Sequence, residues 1–228
     1  MAGPDLLRTG IYAVSEAASL IGVSPTKIRG WIDGWPGTTR APIVENEIGW
    51  LDGRLAFSFA NLMELRFIAF FEGAGVKLRE IRMIMDEVRR EINRPRPFAT
   101  NTVFKTDGEK IVAETVRKNG HCDLYDLRSK NFEMGAIVYK SLKSDVVYDA
   151  QGNATAWFPR RDLAPNVIIH PSMAFGRPIL NKSGIPTETI AEAWHAEGSI
   201  EAVADLFEVS KARVREALAF EKIIRRAA

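Results

Sequence analysis

Thr26, Lys27 and Arg29 follow closely on Ser24-Pro25, and their side chains suit contact with a polyanion. Arginine offers a planar fork of donors that fits guanine O6 and N7 or a phosphate, and lysine offers a point charge. A threonine hydroxyl donates or accepts to either. Ser15, Arg40 and Arg54 lie nearby in the chain, and Lys211, Arg213 and Arg215 repeat the pattern after Ser210. These nine residues are the candidate contacts to double-stranded DNA, with base readout falling to Thr26, Lys27 and Arg29. Catalytic chemistry has little to work with. The three histidines, His121, His170 and His195, show no H-E-x-x-H spacing, and the chain has no G-x-S-x-G elbow and no Walker loop. No enzyme activity, cofactor or metal site is expected.

The elements that would position these groups are helices. Tyr12 to Ile32 reads as two short helices with Ser15 as the first N-cap, Gly22 at a sharp turn, and Ser24-Pro25 restarting the second. Ile28, Trp31 and Ile32 return at helical spacing to pack on Ala17, Ala18 and Leu20, which leaves Thr26, Lys27, Arg29 and Gly30 outward. A helix presented in this way fits the DNA major groove. After the turn formers 33–37, Ala41 to Phe57 reads as a short hairpin around Asp52-Gly53, either reaching DNA or only covering the core.

Composition bounds the rest. The 228 residues carry 31 basic and 29 acidic side chains, a net charge of +2, so only a local basic stripe distinguishes a nucleic-acid partner. No apolar run approaches the ~20 residues that span a bilayer, and no signal-peptide core opens the chain. A cytoplasmic protein without membrane contact is expected. Cys122 is the single cysteine, which excludes an internal disulfide and a multi-cysteine zinc site.

Further along, Ser58 caps an apolar helix ending at Gly73-Ala74-Gly75, and a second helix from Lys77 carries Leu78, Ile81, Ile84, Met85, Val88 and Ile92 as its stripe. Arg79 and Arg82 lie off that stripe, where a phosphate contact is plausible. Residues 98–164 read as an α+β connector. It holds a hairpin around Asp107-Gly108, a strand at 124–128, an uncertain helical stretch at 132–142, and a second hairpin formed by 145–148 and 154–158. Short strands follow at 167–169 and 178–180, then helices capped by Thr187, Ser199 and Ser210. Val203, Ala204, Leu206 and Phe207 are expected inside. Shifted by 186 residues, Ala18, Leu20, Val23, Ser24, Lys27, Ile28, Arg29 and Ile32 meet Ala204, Leu206, Val209, Ser210, Arg213, Val214, Arg215 and Leu218. The second unit either binds a second DNA segment or packs and dimerises.

Over residues 10–92, the order of paired helices, Trp31, hairpin and FANLMELRFIAFFEGAGVKLREIR resembles the winged-helix DNA-binding domain of the MerR superfamily. That resemblance implies a DNA-binding module. Arg94-Pro95-Arg96-Pro97 stops the helix that usually continues into dimerisation in that family, and no metal-binding cysteines follow, which argues against metal sensing. Over residues 165–222, FGRPIL, SGIPTETI and the terminal helices resemble a short prokaryotic domain of unknown function whose members are similar to VapB-type antitoxins of PIN-like ribonuclease toxins. The basic residue usual before Ile-Pro is Gly184 here. The resemblance implies an antitoxin and transcriptional autoregulator; a homodimer is expected because a palindromic operator needs a two-fold protein. On that basis Arg177, Arg225 and Arg226 are candidates to pair with the metal-binding carboxylates of a PIN-like toxin.

The expected fold is therefore mainly α with small β elements. It comprises a MerR-like winged helix (1–97), the α+β connector (98–164) and an antitoxin-like domain with a second helix-turn-helix (165–228). Two alternatives remain open. One is a ligand-responsive regulator with a pocket of Phe104, Tyr148 and Trp157; the other is an interaction module in which both helix pairs only pack.

Overall fold

A computed structural model describes residues 9–35, 37, 41–73, 75–93, 96–101 and 144–227. Ile11–Ala13 (β1) runs directly into the helix Val14–Ile21 (α1), and a three-residue turn leads to Pro25–Ile32 (α2). Gly22 has φ 83°, and its N–H and that of Val23 both return to the Ala18 carbonyl, at 2.8 and 3.0 Å. Ser24 caps α2 by accepting the Lys27 N–H, and Pro25 occupies the first helical position. The cap of α1 differs from expectation. Ser15 is exposed inside the first turn, the cap position is Ala13, and Glu16 Oε2 accepts the Ala13 N–H at 2.7 Å. The reason is tertiary, because pairing of β1 with a later strand sets where extended chain ends and helix begins.

That later strand is Arg54–Ser58 (β3), which forms a hairpin with Gly49–Leu51 (β2) and pairs on its other edge with β1, all antiparallel. Asp52 (φ 47°) and Gly53 (φ 74°) make the tight two-residue turn that Asp-Gly favours. Leu55, Ala56, Phe57 and Ser58 are all buried, as a central strand covered on both faces requires. Asn46 fixes the base of the hairpin, donating to the Ala56 carbonyl at 2.9 Å and accepting the Ile48 N–H at 3.0 Å.

The helices Phe59–Gly73 (α3) and Leu78–Ile92 (α4) complete this half. Ser58 caps α3 through the Asn61 N–H, and Ile81, Ile84, Met85 and Val88 form the buried stripe of α4. Glu64 is fully buried and receives the Arg89 guanidinium at 3.1 Å and the Phe98 N–H at 3.3 Å. Burial pushes its carboxyl up to about 7 despite Arg89. The folded state therefore holds a proton that the unfolded chain releases near pH 4.5, and stability falls as pH rises from there through about 7. Glu64→Gln is expected to flatten that decline. A thermal-melt series from pH 4.5 to 8 checks this, and a Gln variant with the wild-type slope would contradict it.

The remaining described chain builds a second antiparallel sheet, Val146–Tyr148 (β4), Ala154–Trp157 (β5), Val167–Ile169 (β6) and Pro178–Leu180 (β7), in sequential order. Helices Thr187–Glu197 (α5), Ile200–Leu206 (α6) and Lys211–Ala227 (α7) follow, and α7 packs on α5, on α6 and on α1 of the N-terminal half. The cap of α5 is Pro186. Thr187 is instead buried in the first turn, where it donates to Glu221 Oε1 at 2.5 Å. Ser199 caps α6 and Ser210 begins α7 as expected. Leu206 is 60% exposed, contrary to expectation.

The fold is mixed α/β rather than mainly α: the described residues hold seven α-helices and two sheets, and the strands supply core side chains such as Phe57, Trp157, Ile169 and Leu180. Runs of three to five apolar residues carry little periodicity, so sequence pattern alone does not reveal the extent of the sheets. β1 takes in Tyr12 and Ala13, which the sequence places at the start of the first helix pair. The hairpin near 107, the strand at 124–128 and the helical stretch at 132–142 lie outside the described residues.

The internal echo extends to the backbone. Val209 N–H returns to Ala204 O at 3.0 Å, as Val23 does to Ala18, and Arg213 N–H meets Ser210 as Lys27 meets Ser24. Glu208 takes the place of Gly22 and has φ 53°. A side chain there carries left-handed strain that glycine avoids. Glu208→Gly is expected to stabilise the protein by up to about 1 kcal/mol, after the entropy glycine adds to the unfolded chain. Urea unfolding measures it, and a destabilised variant would contradict the strain argument.

Candidate functional site

The buried face of α2 is Ile28, Trp31 and Ile32, all at most 3% exposed, so the side chains of Thr26 and Arg29 are turned to solvent. Gly30 is the correction. It is buried, and a Cβ there would stand 2.5 Å from the Trp35 ring, so the glycine lets Trp35 lie against the helix. Lys27 is not a free cation either, since its ammonium binds Glu72 Oε2 of α3 at 2.6 Å. Arg29 has a different neighbour. Its guanidinium carbon lies over the Trp50 ring, 5.8 Å from the centroid. Trp50 of β2 is 57% exposed, Leu51 is also exposed, and Arg54 pairs with Leu51 across the hairpin. Thr26, Arg29, Trp50, Leu51 and Arg54 are thus exposed on α2 and the β2–β3 hairpin, and Arg29 and Trp50 bring the two elements together. Arg40 lies outside the described residues, and Ser15 is exposed on α1, where its carbonyl accepts the Ser19 hydroxyl.

The C-terminal candidates are more engaged. Lys211 pairs with Glu201 at 3.0 Å, a bond that holds the Glu201 carboxyl below its ordinary range. Arg213 is half-buried and donates to the Asn181 carbonyl at 3.2 Å. Arg215 is exposed. Arg82, read as a possible phosphate contact, donates instead to the Ala41 and Pro42 carbonyls at 2.6 and 2.8 Å.

Arg177 and Arg225, far apart in sequence, line one open groove of about 260 Å³ between the N-terminal half and α7. Glu16, Glu188 and Glu221 share it, and Arg177 reaches Glu188 at 3.5 Å. Burial raises the Glu221 carboxyl, with the Thr187 hydroxyl and Arg225 opposing. Phe175, 68% exposed, forms a lip of the groove, with φ values of 46° at Ala174 and 57° at Phe175 itself. Arg226 falls in the last turn of α7, and its side chain is outside the described residues.

Trp157 and Tyr148, considered for a ligand pocket, meet Arg66. Its guanidinium lies 5.5 Å from the Trp157 centroid and 3.5 Å from Asp145, and burial lowers its pKa. Trp157 is buried, and Phe104 lies outside the described residues. Sequence reasoning missed Trp50 and Phe175 as exposed groups. Trp50 was visible only as one of several apolar residues in a hairpin, and nothing in the local pattern marks Phe175.

Three similarities to known proteins bear on this chain. Residues 167–220 match a family model described as a protein of unknown function, DUF433. The chain is 23% identical over 223 residues to a Mycobacterium tuberculosis protein named "Putative antitoxin VapB45", covering 91% of this chain and 92% of that protein. It also superimposes on the X-ray crystal structure of Rv2018 from Mycobacterium tuberculosis with a TM-score of 0.74 at 20% identity, covering 91% and 96% of the two chains. The fold is therefore one already seen in a solved structure, and across nine-tenths of its length the chain is similar to a protein that carries an antitoxin name.

Proposed function

We propose that this protein is a DNA-binding antitoxin of a type II toxin–antitoxin system, which represses its own operon and neutralises a PIN-like ribonuclease. The observation that carries the reading is the near full-length similarity to an antitoxin-named protein. The exposed basic and aromatic surface on α2 and the hairpin supports the DNA half of it. In this reading residues 1–97 are a MerR-like winged-helix unit, 98–164 a connector and 165–228 the antitoxin-like unit, and a cytoplasmic homodimer reads a two-fold operator. DNA contact belongs to the first helix pair. The second serves packing, which fits the engagement of Lys211 and Arg213 within their own unit. Arg177 and Arg225 face the toxin from the shared groove, where a guanidinium can pair with a nuclease carboxylate.

Two assays test the halves separately. Fluorescence anisotropy on the gene's own upstream duplex and a scrambled one, at several salt concentrations, is expected to show preferential, salt-sensitive binding. Equal affinity for both duplexes would remove the repressor role. Co-purification with the product of the neighbouring gene, and inhibition of its ribonuclease activity, is expected for wild type and weakened in Arg177→Ala/Arg225→Ala. Full neutralisation by that double variant would remove the arginine assignment.

A further inference from the structure

Resting on the DNA-binding reading above, we propose that Arg29 and Trp50 act together as a composite reader of a guanine lying next to a thymine. The geometry has three parts. The Arg29 guanidinium carbon lies over the Trp50 ring, 5.8 Å from its centroid, within reach of a cation–π contact that restricts where the planar fork can sit. Arg29 is exposed, and its fork suits a bidentate contact to guanine O6 and N7, the commonest specific contact that arginine makes.

Secondly, Trp50 keeps 57% of its surface exposed beside that fork. A surface that reaches Arg29 also reaches the indole. The major-groove group that rewards an apolar neighbour is the thymine C5-methyl.

Thirdly, the pair is held by the fold. The Asp52-Gly53 turn closes the hairpin, Asn46 pins its base, and the Ser24 cap and Trp31 anchor set α2. Lys27 and Arg54 do not duplicate the arrangement. Lys27 is paired with Glu72, and Arg54 stands opposite Leu51 near the hairpin turn. Trp50 is therefore both a positioning residue for Arg29 and a contact in its own right.

The test uses the full chain and the upstream duplex, prepared once with thymine and once with uracil at every thymine position. Uracil lacks only the methyl, whose burial contributes about 0.8 kcal/mol, so wild type is expected to bind the uracil duplex about four-fold more weakly. Trp50→Ala loses both the methyl contact and the cation–π support of Arg29, so it is expected to lose about ten- to twenty-fold on the thymine duplex and to show no further loss on uracil. Trp50→Phe is expected to restore part of the affinity on the thymine duplex. Thermal melts of both variants establish that they fold, since position 50 is on the surface.

Equal binding by Trp50→Ala and wild type would overturn the proposal. So would a Trp50→Ala loss that is the same on thymine, uracil and scrambled duplexes, because that marks a contact blind to sequence. Wild-type protein that binds upstream and scrambled duplexes equally would overturn the DNA-binding reading and this proposal together. A wild-type preference that Trp50→Ala retains in full would overturn this proposal alone.

Discussion

Arg29→Ala is expected to weaken binding to the upstream duplex by about ten- to a hundred-fold, the size of one bidentate base contact. The preference over a scrambled duplex is expected to fall with it. Arg29 carries this weight because it stands beside Trp50 while tertiary contacts occupy several of its rivals. Lys27 binds Glu72, Arg82 binds the Ala41 and Pro42 carbonyls, and Arg213 binds the Asn181 carbonyl. Arg29 lies over the Trp50 ring and meets no carboxylate among the described ion pairs. Lys27→Ala is accordingly expected to cost only a few-fold, because the ammonium must leave Glu72 to reach a phosphate. Anisotropy titrations from about 50 to 200 mM salt separate the two roles, since loss of a phosphate contact lowers the salt slope by about one and loss of a base contact does not. An Arg29→Ala protein with wild-type affinity and preference would remove the assignment of α2 to DNA.

Gly176→Ala is expected to destabilise the protein by roughly 2–4 kcal/mol, combining left-handed strain, overpacking and a disturbed hydrogen bond. Gly176 has φ 83°, and a Cβ there would stand 2.5 Å from Tyr12 Oη and 3.1 Å from Gly10 Cα. The Tyr12 hydroxyl donates to the Gly176 carbonyl at 3.0 Å, joining β1 to the loop before β7 across 164 residues of sequence. Tyr12 is 3% exposed, and its burial, with Glu16 nearby, raises the phenol above its ordinary range. For a chain of this length the loss corresponds to a Tm lower by about 5–12 °C. Tyr12→Phe keeps the packing and removes only the hydrogen bond, so it is expected to cost about 1–3 kcal/mol. Calorimetry measures both. A Gly176→Ala protein that melts with the wild type would contradict this close approach between the two halves.

How much of this was legible in the sequence follows from the range of the forces involved. Helix caps and turns act within about four residues, so Ser24-Pro25, Gly22, Ser199, Ser210 and Asp52-Gly53 announced their roles in the text itself. Helical periodicity equally placed Ile28, Trp31 and Ile32 inside and Arg29 outside. Even the echo at a separation of 186 residues is local chemistry repeated, and its backbone hydrogen bonds repeat with it.

Pairing between distant elements obeys no such rule. The strand β1, too short to announce itself, exists because β3 offers it an edge, and that moved the start of α1 from Ser15 to Ala13. Gly30 looked like an exposed helix position until Trp35 folded over it. Nothing in the local sequence pairs Glu64 with Arg89, yet packing of α3 on α4 puts the carboxyl in the core beside its partner. Which of several cations is left to meet a partner molecule depends on which carboxylates and carbonyls the packed chain brings within about 3 Å of each. Sequence determined the helix pairs and the kind of groups they display. Tertiary structure decided that Arg29 stands with Trp50 and that Arg177 shares a groove with Arg225, because charge pairing and burial are settled by distances across the folded chain.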